Sequence, residues 1–323
     1  MNVDISMAAD RIAQDLAAPV VAGQWPRGVI GAHSADGQAR YGYPEIAGYW
    51  LRWASSEATV DLASGEAVVD WLQGLSDDGL WPTRVAAPGQ SAPDHQDRHY
   101  LFDHAMLWDG LHRWAQRRSS SSAAALAQVL RRRFFEFRLG TQWQAMIGAE
   151  AESAHWSAAG GPFLLKAWAR LSTMDDDLGR EAQAQSARLR PIALHQPHTE
   201  AHPQLYALEG LLESGDEDGA RAGLVALLQT QGDQPVLPES ADGGPRRSDV
   251  QAQLIRLGLR LGLVNRQETA WRSRLQWLLD RIDRRGRVQF SDDQDGCPTW
   301  AALFSLQALR AWMAPAGTTM ELI

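Results

Sequence analysis

Cysteine and lysine are almost absent from this chain of 323 residues. Cys297 is the only cysteine, so no disulfide can form within the chain. Lys166 is the only lysine, and arginine supplies the other basic charges, which leaves a net charge of −8 with no basic block. A mildly acidic chain without a basic patch is not typical of nucleic-acid-binding proteins, and we expect no nucleic acid partner.

Long apolar runs are missing as well. No run approaches the roughly 18 residues that a membrane span requires. The first residues, MNVDISMAADRIAQ, contain neither the basic nor the apolar segment of a signal peptide. The sequence therefore predicts a cytoplasmic protein without a membrane span.

Strand patterns are scarce, whereas apolar residues recur at i, i+3, i+4 and i+7 along most of the chain. This spacing is typical of helices and predicts an all-α protein. The predicted helices lie at 4–17, 44–57, 63–75, 102–118, 122–137, 161–172, 178–189, 203–214, 217–229, 248–262, 267–283 and 298–312.

The predicted helices alternate in character. Those with even numbers are the more apolar and mostly follow long connectors, whereas the odd ones are amphipathic and mostly follow short loops. A helix that is apolar all round is buried, and long loops in compact domains are usually functional. The alternation predicts an (α/α)6 toroid of two concentric rings, formed by one domain over 1–323, with a funnel at the N-terminal ends of the inner helices.

Two kinds of helix start are predicted for the even helices. Pro44, Pro162, Pro203 and Pro298 each suit the first position of a helix, where no N–H is needed. The tenth helix begins with Ser248-Asp249-Val250-Gln251, which fits a capping box with Ser248 as the cap.

Tryptophan is unusually frequent, with fourteen residues against seven phenylalanines and five tyrosines. The segment YGYPEIAGYWLRW, at 41–53, surrounds one carboxylate with tyrosine and tryptophan. An indole offers a large apolar face and one N–H donor, so it can fill a core or stack on a ligand ring. We expect this helix to line a sugar-sized pocket.

Several segments resemble a known group of proteins. YPEIAGYWL resembles the YPE-hydrophobic-TGY segment of toroidal proteins associated with bacterial polysaccharide and exopolysaccharide metabolism. DGLWP resembles the Q-x-x-DG-x-W turn of the wider six-hairpin group, and HPQLYALEGLLESG resembles an inner helix of the same proteins. With RSDVQAQLIRLGL, the similarity to this six-hairpin glycosidase-like and epimerase-like superfamily extends over about 41–312.

The resemblance implies a carbohydrate ligand and, in several branches, an enzyme. The superfamily includes glycoside hydrolases, sugar epimerases and isomerases, and polysaccharide lyases, because the fold does not determine the reaction. Ala47 stands where the usual motif has threonine, so any contact of that hydroxyl cannot be carried over.

The caps and first turns of the even helices supply the candidate site residues. We expect Glu45, Asp103, His202 and Asp249 to be catalytic. The residues expected to bind substrate are Tyr43, Trp81, His104, Trp156, His198, Glu200, Arg247, Gln251 and Trp300.

Each candidate also has a structural interpretation. Glu45 suits the positive end of a helix dipole, and Asp103 suits a helix cap, but together they could form the carboxyl pair of a glycosidase. Arg247 and Asp249 could form a local ion pair, or the arginine could bind a carboxylate or phosphate of a ligand.

Metal binding is considered at two places. His198, Glu200 and His202 form H-T-E-A-H, which could bind a metal, shuttle protons or cap a helix, but the segment precedes the helix and is not HExxH. The acidic run at 292–295 could bind a cation. We predict no resident metal and no cofactor.

Five functions remain open at this point. The four carboxylates favour a glycoside-hydrolase-like enzyme, whereas the histidines favour an epimerase or isomerase, and a lyase is the third enzymatic option. The non-enzymatic option is a glycan-binding toroid of a polysaccharide assembly system. A terpenoid-type cyclase on the same architecture would need a dry aromatic cavity with an acid at its top.

Overall fold

Twelve α-helices and ten short strands make up the part of the chain that the structure describes. The structure, a computed structural model, describes residues 2–21, 25–34, 36–75, 80–87, 98–148, 161–174, 176–195, 200–230, 234–240, 243–315, 318 and 322–323. The helices are α1 (Asn2–Ala17), α2 (Pro44–Ala54), α3 (Leu62–Gly74), α4 (Leu101–Arg118), α5 (Ser121–Phe134), α6 (Leu164–Leu171), α7 (Asp176–His195), α8 (Ala201–Glu213), α9 (Glu217–Thr230), α10 (Ser248–Arg260), α11 (Thr269–Leu279) and α12 (Thr299–Met313).

The even-numbered helices form a closed inner ring. Each packs against the next even helix, and α12 packs against α2 to complete the circle. These helices are buried over most of their length. The odd helices pack on the outside, each against an inner helix, and keep one exposed face. The protein is therefore an all-α (α/α)6 toroid, as the alternation of apolar and amphipathic helices predicts.

None of the helices in the described ranges combines the length and apolar character needed to cross a bilayer.

Helix starts differ from prediction in three places. Pro44 occupies the first position of α2 as predicted, but Pro162 lies in the turn before α6 and Pro298 is the N-cap of α12. Pro203 is the third residue of α8. A missing N–H is tolerated throughout the first turn of a helix, so proline predicts the region of a helix start better than its first residue.

The predicted capping box of α10 is wrong. Arg247 is the N-cap, and Ser248 already lies in the helix. The Ser248 hydroxyl donates to the Gln289 carbonyl at 2.5 Å, and the Gln251 amide donates to the Leu237 carbonyl at 2.7 Å. Both side chains therefore hold the connectors in place instead of capping their own helix.

The strands were not predicted, because segments of two to four residues are too short to show an alternating pattern. They are β1 (Val20–Val21), β2 (Trp25–Pro26), β3 (Ile30–His33), β4 (Ala39–Gly42), β5 (Val85–Ala86), β6 (Arg98–Tyr100), β7 (Arg138–Leu139), β8 (Gln142–Trp143), β9 (Met146–Gly148) and β10 (Cys297–Pro298). The largest sheet has the antiparallel order β10-β3-β4-β5. It joins the connectors that precede α2, α4 and α12.

Buried ion pairs tie the inner helices to one another away from their N-terminal ends. We call these residues the arginine belt. The pairs that link successive inner helices are Arg52–Asp109, Asp109–Arg170, Arg170–Glu213, Glu209–Arg256 and Arg256–Gln307 (a hydrogen bond). A more exposed pair, Arg310–Glu57, joins α12 to the loop after α2. Breaking one partner of a buried pair is strongly destabilising, so the belt favours one relative placement of the helices.

The single lysine belongs to the same buried layer. The Lys166 ammonium lies 2.8 Å from Glu209 and also 2.8 Å from the Ile323 carbonyl oxygen. It faces the rings of Tyr49 and Tyr206 at 4.9 and 4.5 Å. Burial lowers the pKa of Lys166 to about 8, against the opposing effect of Glu209.

Helices α2 and α4 approach closely because glycine faces glycine. A Cβ atom added to Gly110 would lie 2.1 Å from the carbonyl oxygen of Gly48, which belongs to the opposite backbone and cannot rotate away. We therefore expect Gly110→Ala to lower the free energy of unfolding by about 1–3 kcal/mol through overpacking. Denaturant unfolding followed by circular dichroism measures this change.

Gly74→Ala is the matched control. A Cβ atom at Gly74, the last residue of α3, meets no atom within 4 Å. Alanine there should leave stability unchanged or raise it by up to about 1 kcal/mol, because it restricts the unfolded chain. Equal stability of the two variants would contradict the close packing of α2 against α4.

Candidate functional site

The N-terminal ends of all six inner helices meet at one cavity of about 340 Å³. Its size falls within the range of small-molecule sites in proteins. Each inner helix contributes through its cap or early turns, and the preceding connectors supply the rest. The cavity is lined by Tyr43, Glu45, Ile46, Thr83, Arg84, Tyr100, Phe102, Asp103, Phe163, His202, Tyr206, Arg247, Phe290 and Trp300.

Aromatic rings form much of the wall. Trp300 meets Tyr43 and Phe290 edge to face, with ring centroids 6.3 and 5.8 Å apart. On another side Phe102 packs against Tyr206 at 4.9 Å. Rings held by one another in this way present rigid apolar faces, on which the apolar face of a ligand ring can lie.

Glu45 enters the cavity because of the way α2 begins. Tyr43 is an extended N-cap and Pro44 takes the first helical position, so Glu45 falls in the first turn. The Tyr43 hydroxyl hydrogen-bonds to the carboxylate. Burial nevertheless raises the pKa of Glu45 to about 7, against that hydrogen bond and the charges of Lys166 and Arg84.

Asp103 lies in the first turn of α4, and its pKa is also raised well above the usual value for an aspartate. Burial is the main cause, and the negative charge of Glu45 adds to it. Its Oδ2 atom is buried and has no hydrogen-bond partner. The Thr83 hydroxyl, which donates to the Arg98 carbonyl at 3.0 Å, also lies within hydrogen-bonding reach of Asp103 and lowers its pKa, but burial outweighs this effect. Burial and the Glu45 charge therefore favour the protonated form of Asp103, and Glu45 is ionised in part near pH 7.

A second polar group lies around Asp249. Arg247 donates to Asp249 through Nε and Nη2 at 3.1 and 2.6 Å, and Trp300 Nε1 donates at 2.9 Å. Burial raises the pKa of this carboxyl, but the charge of Arg247 outweighs it and lowers the pKa to about 2. Arg247 also donates through Nη1 to a second carboxylate, that of Glu239, at 2.8 Å.

The His202 tautomer follows from its contacts. Its Nδ1 lies 2.6 Å from the Gln253 amide oxygen, while the Gln253 amide nitrogen points to Glu209 at 3.4 Å. An amide oxygen only accepts, so Nδ1 carries the proton and Nε2 carries the lone pair. Nε2 lies 3.8 Å from Asp249 Oδ2. Burial lowers the pKa of His202 to about 4, so the ring is neutral at pH 7.

Arg84 places a positive charge in the cavity lining, beside Tyr41 and Tyr43. It precedes β5, and its guanidinium stacks on the ring of Tyr41 at 4.7 Å and approaches that of Tyr43 at 6.0 Å. Strand pairing fixes this contact, because Tyr41 in β4 is the partner of Ala86 in β5.

Six of the residues predicted from the sequence line the cavity. Two are helix caps, Tyr43 and Arg247, and four lie in the first turns of their helices, namely Glu45, Asp103, His202 and Trp300. Trp156 and His198 lie outside the described residues.

Other predicted residues lie behind the wall instead of in it. The Trp81 indole is buried and donates to the Leu72 carbonyl at 2.9 Å, and His104 accepts from the Trp81 backbone at 3.2 Å. Gln251 is buried against the connector before α10. Glu200, the N-cap of α8, and Asp249 are also absent from the lining. The Gln251 and His104 side chains pair with backbone groups of the long connectors, which would otherwise be buried without hydrogen bonds. The position of a residue on its helix does not reveal this requirement.

The prediction missed several lining residues. Tyr206 follows His202 by one helical turn, so the i+4 rule could have found it. Thr83, Arg84 and Tyr100 lie in the connector predicted at 76–101, whose length indicated function without indicating which residues turn inward.

Two residues of the acidic run at 292–295 form hydrogen bonds with neighbouring residues. Asp292 accepts from the Arg246 backbone at 2.9 Å, and Asp293 accepts from the Ser291 hydroxyl at 2.6 Å. Across the described ranges, no group of three or more His, Cys, Asp or Glu residues is arranged to hold a metal ion.

Comparison with known proteins finds likeness in structure only. No family model and no curated protein sequence matches the chain. A cellobiose 2-epimerase from Bacillus thermoamylovorans B4167 has a TM-score of 0.66 at 15% identity, covering 96% of this chain and 100% of that one. A novel alpha-amylase from Clostridium perfringens has a TM-score of 0.66 at 10% identity, covering 96% and 98%. A glycosidase in complex with glucose has a TM-score of 0.65 at 13% identity, with the same coverage of 96% and 98%. These identities establish the fold alone.

The tautomer of His202 can be measured by long-range ¹H–¹⁵N NMR. We expect a neutral ring protonated on Nδ1 at pH 7, and a titration midpoint of about 4. Gln253→Leu removes the acceptor of that proton, so the proton should move to Nε2, which faces the Asp249 carboxylate. Gln276→Leu, on the exposed face of α11, is the control and should leave the tautomer as it is. A wild-type ring protonated on Nε2 would contradict the assignment.

Proposed function

We propose that this protein is a carbohydrate-active enzyme that hydrolyses a glycosidic bond of an oligosaccharide or polysaccharide. The observation that carries the proposal is the pair formed by Glu45 and Asp103. Two buried carboxyls line one sugar-sized cavity, and burial raises the pKa of each, with the Glu45 charge adding to the effect on Asp103. Neighbouring carboxyls with raised pKa values are suited to act as acid and base near neutral pH.

Asp103 is the proposed general acid. Its raised pKa favours the protonated form, and its Oδ2 atom, which has no hydrogen-bond partner among the described residues, can protonate the departing glycosidic oxygen. Glu45, ionised in part near pH 7, is the proposed base or nucleophile, oriented by the Tyr43 hydroxyl. Trp300, Tyr43 and Phe290 would hold the sugar ring and exclude water.

The state of the carboxyls also distinguishes an enzyme from a glycan-binding toroid. A binding protein has no need of poised acids, so its carboxylates would be neutralised by arginine or by backbone N–H groups. Asp249 is neutralised in this way by Arg247, whereas Glu45 and Asp103 are not. The structural neighbours, which include glycosidases, an amylase and sugar epimerases, support carbohydrate chemistry on a single domain over 1–323.

Substitution of the pair tests the proposal. With a panel of aryl glycosides and oligosaccharides as substrates, we expect Glu45→Gln and Asp103→Asn each to lower kcat about 10²–10⁴-fold, the usual contribution of an acid or base. For Asp103→Asn the loss should shrink on aryl glycosides with good leaving groups, which need no protonation. Asp218→Asn, on the exposed surface of α9, is the control. Turnover of an identified glycoside that survives both substitutions would overturn the assignment.

The pH profile provides a separate test. Activity requires ionised Glu45 and protonated Asp103, so kcat/KM should rise as pH increases through about 7 and fall at higher pH as Asp103 loses its proton. Glu45→Gln should remove the rising limb, and Asp103→Asn the falling limb. A wild-type profile that rises near pH 4 would show that Glu45 has an ordinary pKa.

A sugar epimerase is the second candidate, and His202 favours it. Its neutral ring presents the Nε2 lone pair on a residue that lines the cavity, as proton abstraction from a sugar carbon requires. Incubation of candidate sugars in D₂O decides between the reactions. An epimerase incorporates deuterium at the inverted carbon and loses this activity in His202→Asn. A hydrolase releases a new reducing end without deuterium at carbon.

A further inference from the structure

Arg84 differs from Arg247 in having no ion-pair partner among the residues that the structure describes. Of the residues that the structure describes, none accepts a hydrogen bond from its guanidinium or forms an ion pair with it, and its Nε is buried without a partner. Arginine in a partly buried position is normally paired, since an unsatisfied buried donor costs about 1–3 kcal/mol.

Arg247 shows what a satisfied arginine looks like in the same cavity. Its guanidinium donates to Asp249 and to Glu239, so its fork of donors is already occupied. A ligand anion would have to displace one of these carboxylates to bind there. The sequence analysis considers Arg247 as an arginine that could bind an anion at this cavity. The contacts favour Arg84 for that function instead, because the donors of Arg247 are occupied by carboxylates.

The orientation of Arg84 is held by packing. Its guanidinium lies over the Tyr41 ring, whose strand β4 is paired with β3 on one side and β5 on the other. Stacking covers a face of the guanidinium and leaves its edge, which carries the N–H groups, for hydrogen bonding. A planar fork of donors matches a carboxylate in two parallel hydrogen bonds.

We propose that Arg84 binds the carboxylate of an acidic sugar, so that the substrate carries a uronic acid or an equivalent carboxylated pyranose. This inference rests on the proposed function and specifies its substrate class. Neither nearby carboxyl forms an ion pair with Arg84 among the described residues, and burial raises the pKa of both Asp103 and Glu45, which weakens their negative charge. One singly charged carboxylate balances one guanidinium, whereas a doubly charged phosphate would add excess negative charge beside Glu45.

Matched pairs of ligands test the charge alone. Glucuronic acid is compared with glucuronamide, and galacturonic acid with galacturonamide, because each amide keeps the shape of its acid without the charge. Glucose 6-phosphate is the dianionic probe. By isothermal titration calorimetry at pH 7, we expect at least one acid to bind about tenfold or more tightly than its amide, the effect of one charge-assisted hydrogen-bonded contact.

Variants assign the preference to Arg84. Arg84→Met keeps the apolar stem and should abolish the difference between acid and amide, whereas Arg84→Lys keeps the charge, loses the fork and should retain only part of it. Arg40→Met removes an arginine from the exposed face of the same sheet and should change nothing. Circular dichroism confirms that each variant is folded.

The outcomes separate this inference from the proposed function. Any one of four results overturns the carboxylate site. These are equal binding of acid and amide, tighter binding of glucose 6-phosphate, a preference for the acid that survives in Arg84→Met, and no binding by the wild type. If neutral glycosides are hydrolysed in a Glu45-dependent way without any preference for acids, only the inference fails. If acids bind through Arg84 but no glycoside of any kind is turned over, only the hydrolase proposal fails.

Discussion

The constraint on which the rest of the structure depends is that six helices in one ring all point the same way. Their N-terminal ends, each with unpaired N–H groups and a partial positive charge, converge on a single cavity. That end of the ring therefore favours acids, and Glu45, Asp103 and Asp249 all occupy first turns there. Away from it, the arginine belt supplies the cations that suit the negative ends of the helices.

Position at a helix N-terminus does not by itself decide the charge of an acid. Asp249 and the Glu45–Asp103 pair occupy equivalent places on the ring, yet their pKa values move in opposite directions. The difference lies in the neighbours, since Arg247 donates twice to Asp249, whereas aromatic walls surround the pair. Loss of water around a carboxyl raises its pKa more than a helix dipole lowers it. One architecture thus holds a permanently charged acid beside two that can exchange protons.

Helical periodicity was sufficient to predict the two rings, because each inner helix is apolar all round and each outer helix is not. It also located Glu45, Asp103, His202 and Trp300 at the cavity, since their positions follow from where helices begin. The connectors were less predictable. Arg84 faces the cavity only because two-residue β5 pairs with β4, and Trp81 turns inward to bond the Leu72 carbonyl. Such contacts depend on tertiary register, which no local pattern encodes. The single-domain boundary and the roles of the site residues stay predictions.

The seclusion of Lys166 has a practical consequence for handling this protein. It is the sole ε-amine in the chain, and its side chain is wholly shielded behind the cavity by aromatic faces, Glu209 and the Ile323 carbonyl. Acylating reagents and amine crosslinkers therefore find no lysine on the native surface. The same reagents would reach the Lys166 amine only when the ring of inner helices opens. Reaction at this amine therefore reports global unfolding.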